Sequence, residues 1–394
     1  MNDRHESPML DGMCTPRVLV CFLLVAGCGS DGGGADLSSA VDLADVPDLG
    51  TTDLATFTPV LPPSLPIIPN HGGPVIASPQ IVSLTWQSDS IAADLEAFDD
   101  WQVTSTFWSD LMAEWGVGPG THAGSYRNPN PAPATLDEAA VTTLIDSAVT
   151  AGVVPTPTAS IIYTIYPPSG TTVTQSGSFM GCVDFQAYHS VTTVKGKQAF
   201  YAIAPRCATT SGLSALDFTT WGMSHEVMEA ASDPDPKLPA WLINTQSPTT
   251  PELGENADLC TGHPTKIQGH EVTRNYSNVA AMAGTRPCVP APAGPMFGVF
   301  ADPGEVTITP GTQTTVTVRF YSTAPLAAFP ISAVARSADL TVALSRTTGK
   351  NGDTATLTIT AAAGYVEYPG ANLVDLRAIS SGYQTRHNLI VHTP

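Results

Sequence analysis

The sequence predicts an α+β domain followed by an all-β sandwich, and three observations carry that prediction. Residues 71–290 mix buried-strand runs with amphipathic helical patterns. Residues 296–394 hold only short β-like runs separated by turn signals. A Pro-rich stretch at 287–295 divides the two textures.

With 394 residues the chain is long enough for two globular domains plus extensions. Charged residues make up only 13%, against 33 Gly and 35 Pro, a composition that fits a loop-rich exported protein better than a helical cytosolic enzyme. The formal net charge of −19 repels phosphates and excludes nucleic acid as a partner. It leaves cationic or neutral substrates open.

Residues 1–27 read as a lipoprotein signal peptide. Arg17 precedes the apolar run 18–26, which is too short to span a bilayer. Val25-Ala26-Gly27-Cys28 resembles a bacterial lipobox with Cys28 as the lipidated residue. An ordinary signal peptide that happens to contain Cys is the alternative. Lipidation implies a membrane partner reached through the anchor and a place in the cell envelope on the extracytoplasmic side. Residues 28–70 read as a disordered acidic and Pro-rich tether: Asp-Leu pairs recur at 36, 42, 48 and 53 without Lys or Arg, and Pro59, Pro62, Pro63, Pro66 and Pro69 follow.

In the first domain, 80–86 and 160–166 read as strands, 91–115 and 136–149 as amphipathic helices, and 199–204 as a further strand. A helix is expected from about 216 to 232, ended by Pro234 and Pro236. Cys182, Cys207, Cys260 and Cys288 are an even set in an exported chain and read as two disulfides. The spacing does not choose among three pairings; Cys182–Cys207 and Cys260–Cys288 are favoured because each closes a local loop. Zinc ligation by these Cys is disfavoured, since no C-x-x-C pair is present. Beyond 296, about seven short strands in roughly 100 residues suggest an immunoglobulin-like sandwich without an inter-sheet disulfide.

The expected 216–232 helix carries H-E-x-x-E at 225–229. Residues i and i+4 share a helix face, so His225 and Glu229 can hold one ion while Glu226 acts on a water beside it. This is the arrangement of a zincin-like metallohydrolase with the second His replaced by Glu. A third ligand must come from elsewhere. Glu255 lies downstream at a separation similar to that of the third carboxylate in thermolysin-like enzymes. Asp258 competes with it, or orients His225 instead. His189 either polarises a substrate carbonyl or is itself the third ligand. Asp233, next to Pro234, reads as a helix-end residue. Zinc is the expected ion, but carboxylate ligands relax selectivity towards Mn²⁺ or Ca²⁺ and weaken the ion as a Lewis acid.

Several short motifs in order resemble the phosphate-induced, EXORDIUM-like family of secreted proteins. They are Asn70-His71-Gly72-Gly73-Pro74-Val75, Cys182 with Tyr188-His189, Ser224-His225-Glu226-x-x-Glu229-Ala230-x-x-Asp233-Pro234, Gly254-Glu255-x-x-Asp258-x-Cys260, and Tyr276-Ser277-Asn278 before Cys288. Ser232 stands where the family commonly has Thr. The resemblance covers a little over half the chain and implies a zincin-like helix in an EXORDIUM-like metallohydrolase domain at 71–290. The sequence therefore predicts a monomeric, membrane-anchored, metal-dependent hydrolase acting on peptides or another cell-surface substrate. The alternative is a non-catalytic surface or adhesion lipoprotein whose H-E-x-x-E region is a structural ion site or holds no ion.

Overall fold

The computed structural model describes residues 57–208, 212–250 and 254–394. The signal peptide, Cys28 and the tether up to residue 56 lie outside the described residues. Among the described residues no helix is long and apolar enough to cross a membrane.

The first domain is built on β1 (Gln80–Trp86), in which six of seven residues are buried, as a strand covered on both faces requires. It is followed by α1 (Ala92–Thr104), α2 (Thr106–Met112), β2 (Thr121–Asn128), β3 (Thr135–Leu136), α3 (Glu138–Thr150) and β4 (Ile161–Ile165). Then come β5 (Thr172–Gln175), β6 (Phe179–Met180), β7 (Tyr188–Val194), β8 (Lys197–Ile203) and α4 (Ala215–Ser232). The main sheet has the order β2-β1-β4-β8-β7, with four parallel strands and β7 antiparallel at the edge.

Crossovers between parallel strands are right-handed. The chain steps from β1 to β2 in one direction and from β2 to β4 in the other, so the two crossover helices fall on opposite faces. Leu95 and Phe98 of α1 pack with Met223 and Val227 of α4 against Ile81, Ile162 and Ala202. Val141 and Ile145 of α3 pack against Val82, Leu84, Tyr163 and Tyr201 on the other face. Mixed α and β structure is thus what the sequence indicated, arranged as helix, sheet and helix layers.

Three details depart from the sequence reading. The single helix expected over 91–115 breaks at Ser105, whose extended backbone lets its hydroxyl accept the Trp108 N–H and cap α2. Strand β2 was not expected, because its sequence THAGSYRN has no apolar run; as an edge strand it alternates between exposed and half-buried positions. The Pro-rich stretch 59–70 is not free spacer. Ile68 is fully buried, the Tyr276 hydroxyl donates to the Pro66 carbonyl, and Asn278 pairs with both backbone groups of Ile68. Leu65 and Ile68 anchor a segment whose prolines hid its apolar content.

After α4 the chain forms hairpin β9 (Pro264–Ile267) and β10 (His270–Thr273), then β11 (Asn275–Tyr276), α5 (Asn278–Met282) and β12 (Cys288–Val289). The C-terminal region is a sandwich of nine strands, β13 (Phe297–Asp302), β14 (Glu305–Thr307), β15 (Gln313–Ser322), β16 (Phe329–Ala335), β17 (Leu340–Leu344), β18 (Thr348–Gly349), β19 (Thr354–Ala361), β20 (Leu373–Ser380) and β21 (Tyr383–His392). Its sheets run β13-β15-β19-β17 and β14-β21-β20-β16-β18, with Val318, Phe320, Leu357, Val374 and Leu389 buried between them. The expected seven strands are present, and β13 and the two-residue β18 add to them. The stretch 287–295 is held rather than loose: Arg286 donates to the Pro292 and Pro295 carbonyls and lies 4.7 Å over the Tyr383 ring. The loop after α4 also reaches the sandwich, where Asn388 bonds the carbonyls of Pro248 and Thr250.

Candidate metal centre

Helix α4 starts at Ser214, whose hydroxyl accepts the Asp217 N–H, and ends at Asp233 before Pro234. Every residue from Gly222 to Ser232 is buried. The helix is clamped between the sheet and β10: Thr273 N–H donates to Ser224 Oγ and Thr220 Oγ1 donates to the Glu271 carbonyl. The segment 70–76 runs beside its exit, with His71 N–H on the Ala240 carbonyl and Ile76 N–H on the Ala231 carbonyl. A Cβ on Gly73 would lie 2.0 Å from the Leu238 oxygen, so only Gly permits this approach. Asp233 accepts the Ala240 N–H at 2.7 Å, the helix-end role expected of it.

Two other elements face the helix. Edge strand β7 brings His189, paired opposite Ala202 of β8. The loop 254–260 brings Glu255 and Asp258. That loop is tied down by Asn256, whose side chain donates to Ser232 Oγ and whose carbonyl accepts the Tyr276 N–H. The Cys260–Cys288 disulfide fixes its end, and Cys182–Cys207 ties the segment before β7 to the one after β8. The two favoured pairings are the ones formed, and no described Cys is left to bind zinc.

The six residues singled out from sequence converge. His225 Nε2 lies 3.1 Å from Glu229 Oε1 and 3.3 Å from Asp258 Oδ1. His189 Nδ1 lies 3.2 Å from Glu226 Oε2 and 3.7 Å from Glu229 Oε2, and its Nε2 lies 3.5 Å from Glu255 Oε2. Asp258 N–H donates to Glu229 Oε1, and Glu255 N–H donates to Asp258 Oδ2. Both nitrogens of His189 thus face carboxylates, an orientation that suits a ligand or a brace for Glu226 rather than a group aimed at a substrate carbonyl. Side-chain exposure is 34% for Asp258 and no more than 14% for the other five, so the centre opens on the Asp258 side.

The donor set fits a divalent cation. Two donors bound to one ion at about 2.0–2.2 Å stand about 2.8–3.6 Å apart for bond angles near 90–109°. His225 stands at that spacing from both Glu229 and Asp258, and the three form one of two clusters among the described residues able to hold an ion. The side chains also hold one another's protons in a way that a cation would replace. Burial opposes charge on both imidazoles, but Glu255, Glu226 and Glu229 outweigh it and push His189 up to about 10. Glu229 and Asp258 likewise hold His225 well above its ordinary value. Burial and then Asp258 raise Glu229 to about 7. Burial raises Glu255 further, against the opposing charge of His189.

Sequence reasoning did not single out Gly254 for the packing role it has. Its φ is +146°, and a Cβ there would lie 1.9 Å from Asp258 Oδ2. The signal was present as the Gly before Glu255, but the contact it makes is four residues away.

No protein-family model matches the chain, and no curated protein matches it. Among solved structures it is similar to domains 4 and 5 of the S-layer protein SbsC, at 15% identity and a TM-score of 0.19, over 26% of this chain and 55% of that one. A structure of SbsC domains 1–6 gives 16% identity and a TM-score of 0.19, over 27% of this chain and 14% of that one. The chain therefore spans about half of the first of these and a seventh of the second.

Proposed function

We propose that this protein is an exported, metal-dependent hydrolase of peptide bonds, with zinc as the first candidate ion. The observation that carries the proposal is the meeting of His225, Glu229 and Asp258 beside Glu226 on one buried helix face. The two disulfides support an oxidising, extracytoplasmic setting. The resemblance of the sequence motifs to EXORDIUM-like proteins and of residues 25–28 to a lipobox supports reading a zincin-like domain held at a membrane by a lipid.

An ion at this centre supplies Lewis acidity to water and to a carbonyl oxygen. The chain's own residues do the rest. Glu226 takes the proton of the attacking water and passes it to the amide nitrogen as the C–N bond breaks. His189, 3.2 Å away, holds that carboxylate in place. Strand β7 ends the sheet beside the centre, so an extended peptide can add to it as a further strand. Glu226→Gln keeps the shape and the neighbouring ligands but loses the base. Peptide hydrolysis by the full chain is expected to fall at least 100-fold while bound metal is retained. Turnover unchanged in Glu226→Gln refutes the mechanism.

The enclosure of five of the six side chains favours one second reading, a structural ion that braces α4 against the 254–260 loop. In that case metal raises the melting temperature and no peptide in a varied library is cleaved.

A further inference from the structure

The six side chains form two ligand triads, His225–Glu229–Asp258 and His189–Glu229–Glu255, with Glu229 common to both. We propose that the centre binds two divalent cations bridged by the Glu229 carboxylate, the second held by His189 and Glu255. This rests on the reading of the site as a metal centre and extends it.

Three observations carry the inference. The first is how the Glu229 oxygens divide. Oε1 faces His225 Nε2 and accepts the backbone N–H of Asp258, and Oε2 faces His189 Nδ1. A carboxylate that presents one oxygen to each triad is placed to bridge ions about 3.5–4 Å apart, the separation of two-metal hydrolytic sites.

The second is Glu255. Its Oε2 is buried without a hydrogen-bond partner, 3.5 Å from His189 Nε2. A buried lone acceptor of this kind is costly unless something binds it. His189 Nε2 lies 3.5 Å from Glu255 Oε2 and its Nδ1 lies 3.7 Å from Glu229 Oε2, and one ligand atom from each of the three residues falls within 4.8 Å of the others. Closing this triad on a cation requires one nitrogen of the imidazole to turn towards both carboxylates.

The third is charge. Glu226, Glu229, Glu255 and Asp258 carry four formal negative charges, and among the described residues the ion pairs around them come from His189 and His225. With neutral imidazoles and these four carboxylates ionised, one divalent ion leaves two negative charges, whereas two ions balance the four. Enclosed, uncompensated charge is strongly destabilising. Each triad offers one nitrogen and two carboxylates, a donor set that suits Mn²⁺ as well as Zn²⁺.

The test is the stoichiometry of the full chain, stripped with chelator and then titrated separately with Zn²⁺ and Mn²⁺ by calorimetry. Elemental analysis after gel filtration gives an independent count. Two ions per chain are expected for the wild type, falling to one in His189→Ala and one in His225→Ala. The electron paramagnetic resonance spectrum of the Mn²⁺-loaded wild type is expected to show a spin-coupled pair, replaced in His189→Ala by the six lines of an isolated ion. Saturation of the wild type at one ion overturns the two-ion inference and leaves the metal reading intact, whereas no binding overturns both. Two ions retained in a folded His189→Ala protein, checked by circular dichroism, also overturn the assignment. The wild-type count stands whether or not a variant folds.

Discussion

Replacing Gly254 with Ala tests whether the loop 254–260 is shaped to deliver a ligand. The added Cβ would lie 1.9 Å from Asp258 Oδ2 and 2.7 Å from its Cγ. Real contacts of this kind do not fall below about 3.0 Å, so the carboxylate must retreat by roughly 1 Å, against a tolerance of about 0.2 Å for a ligand to metal distance. Asp258 Oδ1 then leaves the 3.3 Å contact with His225 Nε2 that defines the first triad. Displaced supporting groups typically weaken metal affinity by about 10–100-fold, and loss of a direct ligand by at least that. The backbone adds strain of about 1–3 kcal/mol, because φ at this position is one that residues with a Cβ rarely adopt. Gly262 provides the control: its φ is +81°, but a Cβ there meets nothing within 4 Å. The assay is Zn²⁺ competition against a chromogenic chelator for both variants. Gly254→Ala is expected to lose affinity at least tenfold, with Gly262→Ala close to wild type. Equal losses in both, or none in Gly254→Ala, refute the geometric argument.

Two further outcomes concern Asp99 and the Cys260–Cys288 bond. Asp99 accepts hydrogen bonds from Ser83, Thr164 and Tyr166 between α1 and the sheet, yet burial dominates and raises it from 3.8 to about 6. The folded state therefore holds a proton there that the unfolded chain has released, and the associated stability is lost as pH rises from about 4 to about 6. The gap corresponds to about 3 kcal/mol; urea unfolding of Asp99→Asn is expected to lack that part of the pH dependence, and parallel profiles for the two proteins would contradict it. The Cys260–Cys288 bond spans 28 residues, and its removal in the double Ser variant is expected to cost about 3–4 kcal/mol from chain entropy. That variant should also bind Zn²⁺ more weakly, since Asp258 lies two residues from Cys260; a lower denaturation midpoint with unchanged Zn²⁺ affinity would mean that the loop is ordered without the bond.

What was legible in the sequence was what local chemistry determines. Pro234 and Pro236 marked the end of α4, the 225–229 spacing placed two ligands on one helix face, and each Cys found the partner that closes a local loop. Glu255 was visible from its separation downstream of Glu229, with Asp258 as its near neighbour in the same stretch. Long-range arrangement was not legible. Strand β2 carries no hydrophobic run, because an edge strand needs none, and it is recognisable only from its pairing with β1. The anchoring of 59–70 depends on Asn278 and Tyr276, more than 200 residues away, which no local pattern announces.

The competition among candidate third ligands also takes a different form once the geometry is known. Glu255, Asp258 and His189 looked like rivals for one coordination position, because a single ion on His225 and Glu229 needs only one more ligand. In the folded chain they do not overlap. Asp258 approaches His225 on the Oε1 side of Glu229, and Glu255 approaches His189 nearer its Oε2 side. One short loop supplies both carboxylates, three residues apart, and its backbone N–H groups at 255 and 258 each donate to a carboxylate oxygen of the centre. Those bonds fix the Asp258 and Glu229 carboxylates before any ion arrives, so part of the ordering entropy of the ligands is met by folding rather than by metal binding. The same arrangement crowds negative charge into a space with two imidazoles and, among the described residues, no arginine or lysine ion pair. A centre so built is stable only with protons or cations inside it, which is why the folded state and its ions are expected to be coupled.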